Sequence, residues 1–161
     1  MTSLTVLVLV TIVGFSFSST LHFGFVNYDD DEVVIENTQV HGLSTENLTW
    51  MFTESRAGHY HPLTWLSLAI DYQLHGGLRP MGFHLTNLLL HIATAVGVFL
   101  VSRELIRRAA NAKAAAAAGT IAGQPLAPAY EHTTWGALIA ALLYAVHPLR
   151  AESVAWVTER R

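Results

Sequence analysis

Cysteine is absent from the 161 residues. That excludes a disulfide framework, a Cys-ligated zinc site, an iron–sulfur cluster and a thiol nucleophile, and it leaves no trace of the redox compartment. Charge is scarce. Asp, Glu, Lys and Arg make up 13% of the chain against 52% hydrophobic residues, where a soluble domain carries about 25% charge. The chain is therefore neither an ordinary water-soluble domain nor a disordered one. A formal net charge of -3 removes a basic nucleic-acid binder on bulk electrostatics, so no nucleic-acid partner is expected. The length suits one domain, or a few membrane-associated helices.

What is present is a set of apolar runs. The first, 4–25, contains no Asp, Glu, Lys or Arg, and His22 is its only titratable side chain. At helical rise it reaches about 33 Å, enough to cross a bilayer core. A cleaved signal peptide is the competing reading. The length of the run, and the lack of Lys or Arg ahead of it, favour an uncleaved membrane helix. A second run, 83–101, reads FHLTNLLLHIATAVGVFLV, with His84, Asn87 and His91 on one stripe; polar groups in hydrocarbon are costly, so that stripe should face protein or a wet cavity. A third span is expected over 130–147, centred on Trp135–Val146, with Pro148 ending it.

Between the first two runs lies a loop, 26–82, that opens on Asn27, Asp29, Asp30, Asp31 and Glu32. Ser44 suits the N-cap of a short helix with Leu48, Met51 and Phe52 on one face, broken at Gly58. Pro62 suits the first turn of a second helix to Leu74, too short to span and too apolar to face water. Such a helix lies in the membrane interface, with Trp65 and Tyr72 at headgroup depth. Trp50, Trp135 and Trp156 are read as interface markers for the same reason. Residues 102–129, with an Ala-rich run and the stretch GTIAGQPLAP, read as a linker, and 148–161 as the start of a second outer loop.

Orientation follows from basic residues. Arg103, Arg107, Arg108 and Lys113 follow the second run, whereas the long first loop has only Arg56 and Arg79. Positive-inside bias puts the N-terminus and 102–129 in the cytoplasm, and the acidic loop and 148–161 outside. Two polar clusters then share the outer side: Asn27–Glu32, and His147 with Arg150, Glu152, Glu159 and Arg160. Carboxylates at a membrane surface can act as a general base or hold a hard divalent cation, and Arg or His can steady a phosphate leaving group. Read alone, the acidic run is more simply a solvated loop or helix cap. His59 and His61 can share a metal only if that stretch is extended; a capping or interfacial role is the simpler reading. His84 and His91 suit bonding between helices. Asn47-Leu48-Thr49 is a glycosylation sequon on the outer side, a match short enough to arise by chance.

Three stretches in order, FVNYDDDEVVIEN, HYHPLTWLSLAIDYQLHGGLRPMGFHLTNLLLHIAT and LIAALLYAVHPLRAESVAWVTERR, resemble the start of the transmembrane-and-tetratricopeptide-repeat family. The resemblance implies an all-α integral-membrane fold of the GT-C class, here a GT-C-like fragment of about three membrane helices with interfacial helices in the first outer loop. It implies O-mannosyl transfer from a polyprenyl-phosphate sugar donor, plausibly of mannose, to an exported or lumenal protein hydroxyl, in contact with membrane lipids. Acidic residues essential for transfer sit in the first outer loop of such enzymes. Asp29 and Asp30 take that place, with Asp31 the weaker match because the family usually shows two. His147, Glu152 and Arg160 fall at family-like positions for substrate binding. Enzymes of this fold differ in metal dependence, so Asp29 and Asp30 are also the candidate ligands for a Mg or Mn ion. Relatives continue with further membrane helices and helical repeats of about 34 residues, which are missing here, so a partial membrane domain is expected. A bacterial inner membrane is favoured, with the endoplasmic reticulum as the alternative. The rival functional readings are a non-catalytic membrane protein or inactive fragment acting through helix–helix contacts, and a transporter fragment with His91 as its intramembrane ionisable group.

Overall fold

The computed structural model describes residues 2–56, 58–118 and 130–160. Among the described residues there is no β-strand, only an isolated bridge between Arg56 and His59. The α-helices are α1 (Thr2–Phe17), α2 (Thr45–Thr53), α3 (Pro62–His75), α4 (Pro80–Ala118), α5 (Tyr130–Ala145) and α6 (Arg150–Ala155). The chain forms two compact bodies, one of 1–16 with 91–148, the other of 17–90 with 149–161.

Among the described residues two helical stretches are long and apolar enough to cross a membrane, Thr2–His22 with 21 residues and Pro80–Ala116 with 37. In the first, α1 tightens into a 3-10 turn over Ser18–His22, where the Thr20 hydroxyl donates to the Phe17 carbonyl at 2.8 Å; such local bonds compete with the regular helical ladder. Leu4, Leu7, Val8, Ile12 and Phe15 remain exposed on α1, a face suited to lipid. The second helix does not stop where its apolar run ends at Val101. Glu104 pairs with Arg107 and Arg108, each at 2.7 Å, and alanine, the best helix former, carries the helix on to Ala118. The first part of the expected linker is thus helical; the GTIAGQPLAP stretch lies outside the described residues. Within the third expected span, helix α5 covers 16 described residues, Tyr130–Ala145, about 24 Å of rise.

In the first body Leu9, Val13, Ala95, Phe99, Ala137, Leu138 and Ala141 are buried. Small residues allow close packing there: a Cβ on Gly136 would meet Ile106 Cδ1 at 3.4 Å. His91 Nε2 lies 2.9 Å from the Ala145 carbonyl oxygen, one of the acceptors that the end of α5 leaves without an intrahelical donor. The ring at the centre of the transporter reading is thus spent on capping a helix.

The second body is built on α2 and α3. Ser44 accepts from the Asn47 N–H at 3.1 Å as the N-cap of α2. Pro62 opens α3, and Gly76, with φ +70°, closes it. Val34, Val40, Met51, Trp65, Leu68, Ala69, Phe83 and Val157 form its core. Trp65 therefore does not mark an interface. It is 3% exposed and packs against Trp50 and Tyr60, because α3 turns this side of itself into the body and leaves Leu63, Ile70 and Leu74 outside. Tyr72 stacks on His41 at 4.7 Å. His84 and Asn87 of the polar stripe are buried; His84 Nε2 lies 3.3 Å from the Gly24 carbonyl oxygen.

Candidate functional site

The acidic run after the first apolar helix folds into a short helical turn, with Asp29 and Asp30 leading into a π-helical turn at Asp31–Ile35. π-turns widen the backbone and often occur at functional sites. Asp30 is 1% exposed. A bare carboxylate there would be costly, but each oxygen accepts from a backbone amide. Oδ2 takes the Val26 N–H at 2.9 Å and Oδ1 the Thr158 N–H at 3.1 Å. The first bond closes the local turn. The second reaches across the chain and seats the 156–160 segment against the acidic run. Asp29, the preceding residue, is half-buried.

The same segment is tied at three further points. Asn87 Nδ2 donates to the Trp156 carbonyl at 2.7 Å. The Thr64 hydroxyl donates to the Arg160 carbonyl at 3.1 Å. The Arg160 guanidinium does the most. Nη1 pairs with Asp71 Oδ2 at 2.6 Å and donates to Ser67 Oγ at 3.2 Å; Nε donates to Asn87 Oδ1 at 2.7 Å and Nη2 to the Phe83 carbonyl at 3.0 Å. Asp71 Oδ1 accepts in turn from the Thr86 hydroxyl at 2.6 Å. Burial pulls the Arg160 pKa below its ordinary value, and the Asp71 carboxylate opposes that pull.

Arg160 therefore differs from its sequence reading. Its side chain is 5% exposed, with donors committed to α3 and α4. It is a clamp for the second loop, and an anion could reach it only by displacing those acceptors. Glu152 stands exposed on α6, and His147 is exposed in the other body. So Asp30 and the Thr158–Arg160 segment are brought together, and Glu152 is not drawn into that network. Among the described residues no group of three or more His, Cys, Asp or Glu can hold a metal ion. Asp71 and Thr158 were missed from sequence. Asp71 had a signal, as the single acid in the apolar stretch LTWLSLAIDYQL, and an ionisable residue so placed usually has a partner. Thr158 had none.

No family model and no solved structure matches the chain. Several curated proteins do. Protein O-mannosyl-transferase Tmtc2 of Drosophila melanogaster is 33% identical over 150 residues, covering 88% of this chain and 13% of the relative. Protein O-mannosyl-transferase Tmtc3 of the same fly is 36% identical over 112 residues, 70% of this chain and 11% of the relative. Protein O-mannosyl-transferase TMTC4 of Homo sapiens is 32% identical over 144 residues, 83% of this chain and 17% of the relative. The chain thus spans less than a fifth of the length of each of these relatives.

Proposed function

Because the chain belongs to the transmembrane-and-tetratricopeptide-repeat family of protein O-mannosyl-transferases, we propose that it is part of a membrane glycosyltransferase. The enzyme moves a mannosyl group from a polyprenyl-phosphate donor to a Ser or Thr hydroxyl of an exported or lumenal protein, on a GT-C-type framework. The similarity over 88% of the chain carries this reading, and the seating of the acidic run against the second loop through Asp30 and Thr158 supports it. The animal origin of the relatives fits the endoplasmic reticulum membrane and lends no support to the bacterial inner membrane. Nor do these relatives favour the non-catalytic reading.

Asp29 is the acceptor base. Its carboxylate takes the hydroxyl proton as the oxygen attacks the anomeric carbon. The bond from that carbon to the donor phosphate breaks through an oxocarbenium-like state, and the polyprenyl phosphate leaves with the electron pair. Asp30, with both oxygens occupied by amides, is a positioning residue that holds the turn carrying Asp29. Arg160 positions the second loop. Glu152, exposed and in the same body as Asp29, is the side chain assigned to substrate contact. A Mg or Mn ion would draw on Asp29 and Asp30, and it would have to displace the two amides on Asp30. Chelation of divalent ions is therefore expected to leave transfer within about twofold of its starting rate, since those amides already neutralise the buried carboxylate.

The test is transfer of labelled mannose from a polyprenyl-phosphate donor to Ser/Thr peptides by membranes carrying the protein. Asp29→Asn should lower the rate by about 100-fold or more, the scale of a lost general base. Unchanged transfer would remove Asp29 from catalysis, and a wild type unable to label any hydroxyl acceptor would remove the transferase reading.

A further inference from the structure

Arg56, His59 and His61 stand together at a small cavity about which the acidic run says nothing. Reciprocal backbone bonds, Arg56 N–H to His59 carbonyl at 3.0 Å and His59 N–H to Arg56 carbonyl at 2.9 Å, close a tight turn. Residues paired in this way project to the same side. Gly58 in that turn has φ +76°, the left-handed region that a side chain disfavours. Two residues beyond His59, His61 returns to the same side, and the two rings stack with centroids 5.4 Å apart. The turn is anchored at both ends: Arg56 Nε donates to the Glu32 carbonyl at 3.1 Å, and the Tyr60 hydroxyl to the Phe52 carbonyl at 3.0 Å.

Val33, Arg56, His59, His61, Thr64, Trp65 and Thr158 line the cavity; there is no carboxylate side chain in that lining. Two independent features point to a ligand. Thr158 is 3% exposed, and its Oγ1 is buried with no hydrogen-bond partner, a state that native structures rarely leave without a reason. Helix α3 also begins here, at His61 and Pro62, with no side-chain cap on its N-terminus. The first turn of that helix lines the cavity through His61, Thr64 and Trp65, at the positive end of the helix dipole. A guanidinium, two imidazoles that each carry at least one N–H donor, a free hydroxyl and a helix N-terminus share one preference, an anion rich in acceptor oxygens. The guanidinium argues against a cation, for which the two histidines alone would otherwise suit.

We propose that a phosphate group binds at the mouth of this cavity through Arg56, His59 and His61, with one oxygen entering the enclosed volume of about 30 Å³ beside Thr158. Resting on the transferase reading, that phosphate is the headgroup of the lipid-linked donor. Thr158 belongs to both places, since its amide holds Asp30 while its side chain lines the cavity. The base and the leaving group would then flank one residue.

Binding of dodecyl phosphate and of inorganic phosphate to the full chain in lipid nanodiscs, followed by phosphorus NMR titration, tests this without any sugar transfer. Arg56→Gln and Thr158→Val should each weaken binding by about tenfold or more, as expected for the loss of a hydrogen bond to a charged group. Thr158→Ser, which restores the hydroxyl, should bind as the wild type does. Binding of dodecyl phosphate alone marks a lipid-linked source; equal binding of both probes marks the phosphate as sufficient. Either supports the cavity. Wild-type protein that binds neither probe, or variants that bind as tightly as wild type, would overturn it. If phosphate binds as expected while no mannose is transferred, the transferase reading fails and the cavity stands. If transfer depends on Asp29 while the variants bind normally, the reverse holds.

Discussion

Asp71 and Arg160 show how much a residue's meaning depends on its surroundings. Both side chains are almost wholly buried, 2% and 5% exposed, so each is tolerated only because the other is there. Removing one leaves an unpaired charge in the body, and Asp71→Ala should destabilise the protein by about 3–5 kcal/mol. Thermal unfolding in detergent, followed by circular dichroism, measures this. The double variant Asp71→Leu/Arg160→Met should recover part of the loss, because no charge is then stranded; a double variant less stable than Asp71→Ala would contradict the clamp. Asp29 and Asp30 make the same point. They are adjacent and chemically identical, yet one is half-buried and the other sealed against two amides. Nothing in the run NYDDDE distinguishes them, because the donor to Asp30 Oδ1 lies 128 residues further on.

At the scale of elements, the turns and helix ends were legible because their chemistry is local. Ser44, Pro62 and the glycines at 58 and 76 do what their backbone preferences require. Gly58→Ala should cost about 1–2 kcal/mol from left-handed strain, and its larger effect should be on the phosphate titration, since the turn places Arg56 and His59. Gly82 offers a second test. A Cβ there would fall within the His75 ring, where α3 ends and α4 begins. Gly82→Ala should therefore lose about 1–3 kcal/mol through overpacking, read by the same unfolding measurement. What local chemistry left open was what covers each side of α3: its apolar character suggested a helix lying in the membrane interface, and one side, with Trp65, serves the core of the body. An amphipathic pattern shows that one side will be buried and is silent about whether lipid or protein buries it.

For the whole molecule, the absence of cysteine becomes an advantage, because a single introduced thiol is a unique label. Tyr28→Cys and Glu152→Cys, at exposed positions, should react with a membrane-impermeant reagent from the same side, since Asp30 and Thr158 are hydrogen-bonded within one body. Lys113→Cys, beyond the apolar part of α4, should react from the other. Labelling of positions 28 and 152 from opposite sides would rule out the Asp30–Thr158 contact and the site built on it. Composition, apolar runs and caps by themselves indicated a helical chain with apolar stretches able to cross a membrane, the first two separated by an acidic loop. These are properties of neighbouring residues and of bulk transfer from water. Only the tertiary structure decided which charges are spent on holding the fold. Neutralising a buried charge takes a partner in contact, and for Arg160 that partner set spans α3 and the start of α4, with Asn87 lying 73 residues away in sequence, a distance that no local pattern encodes.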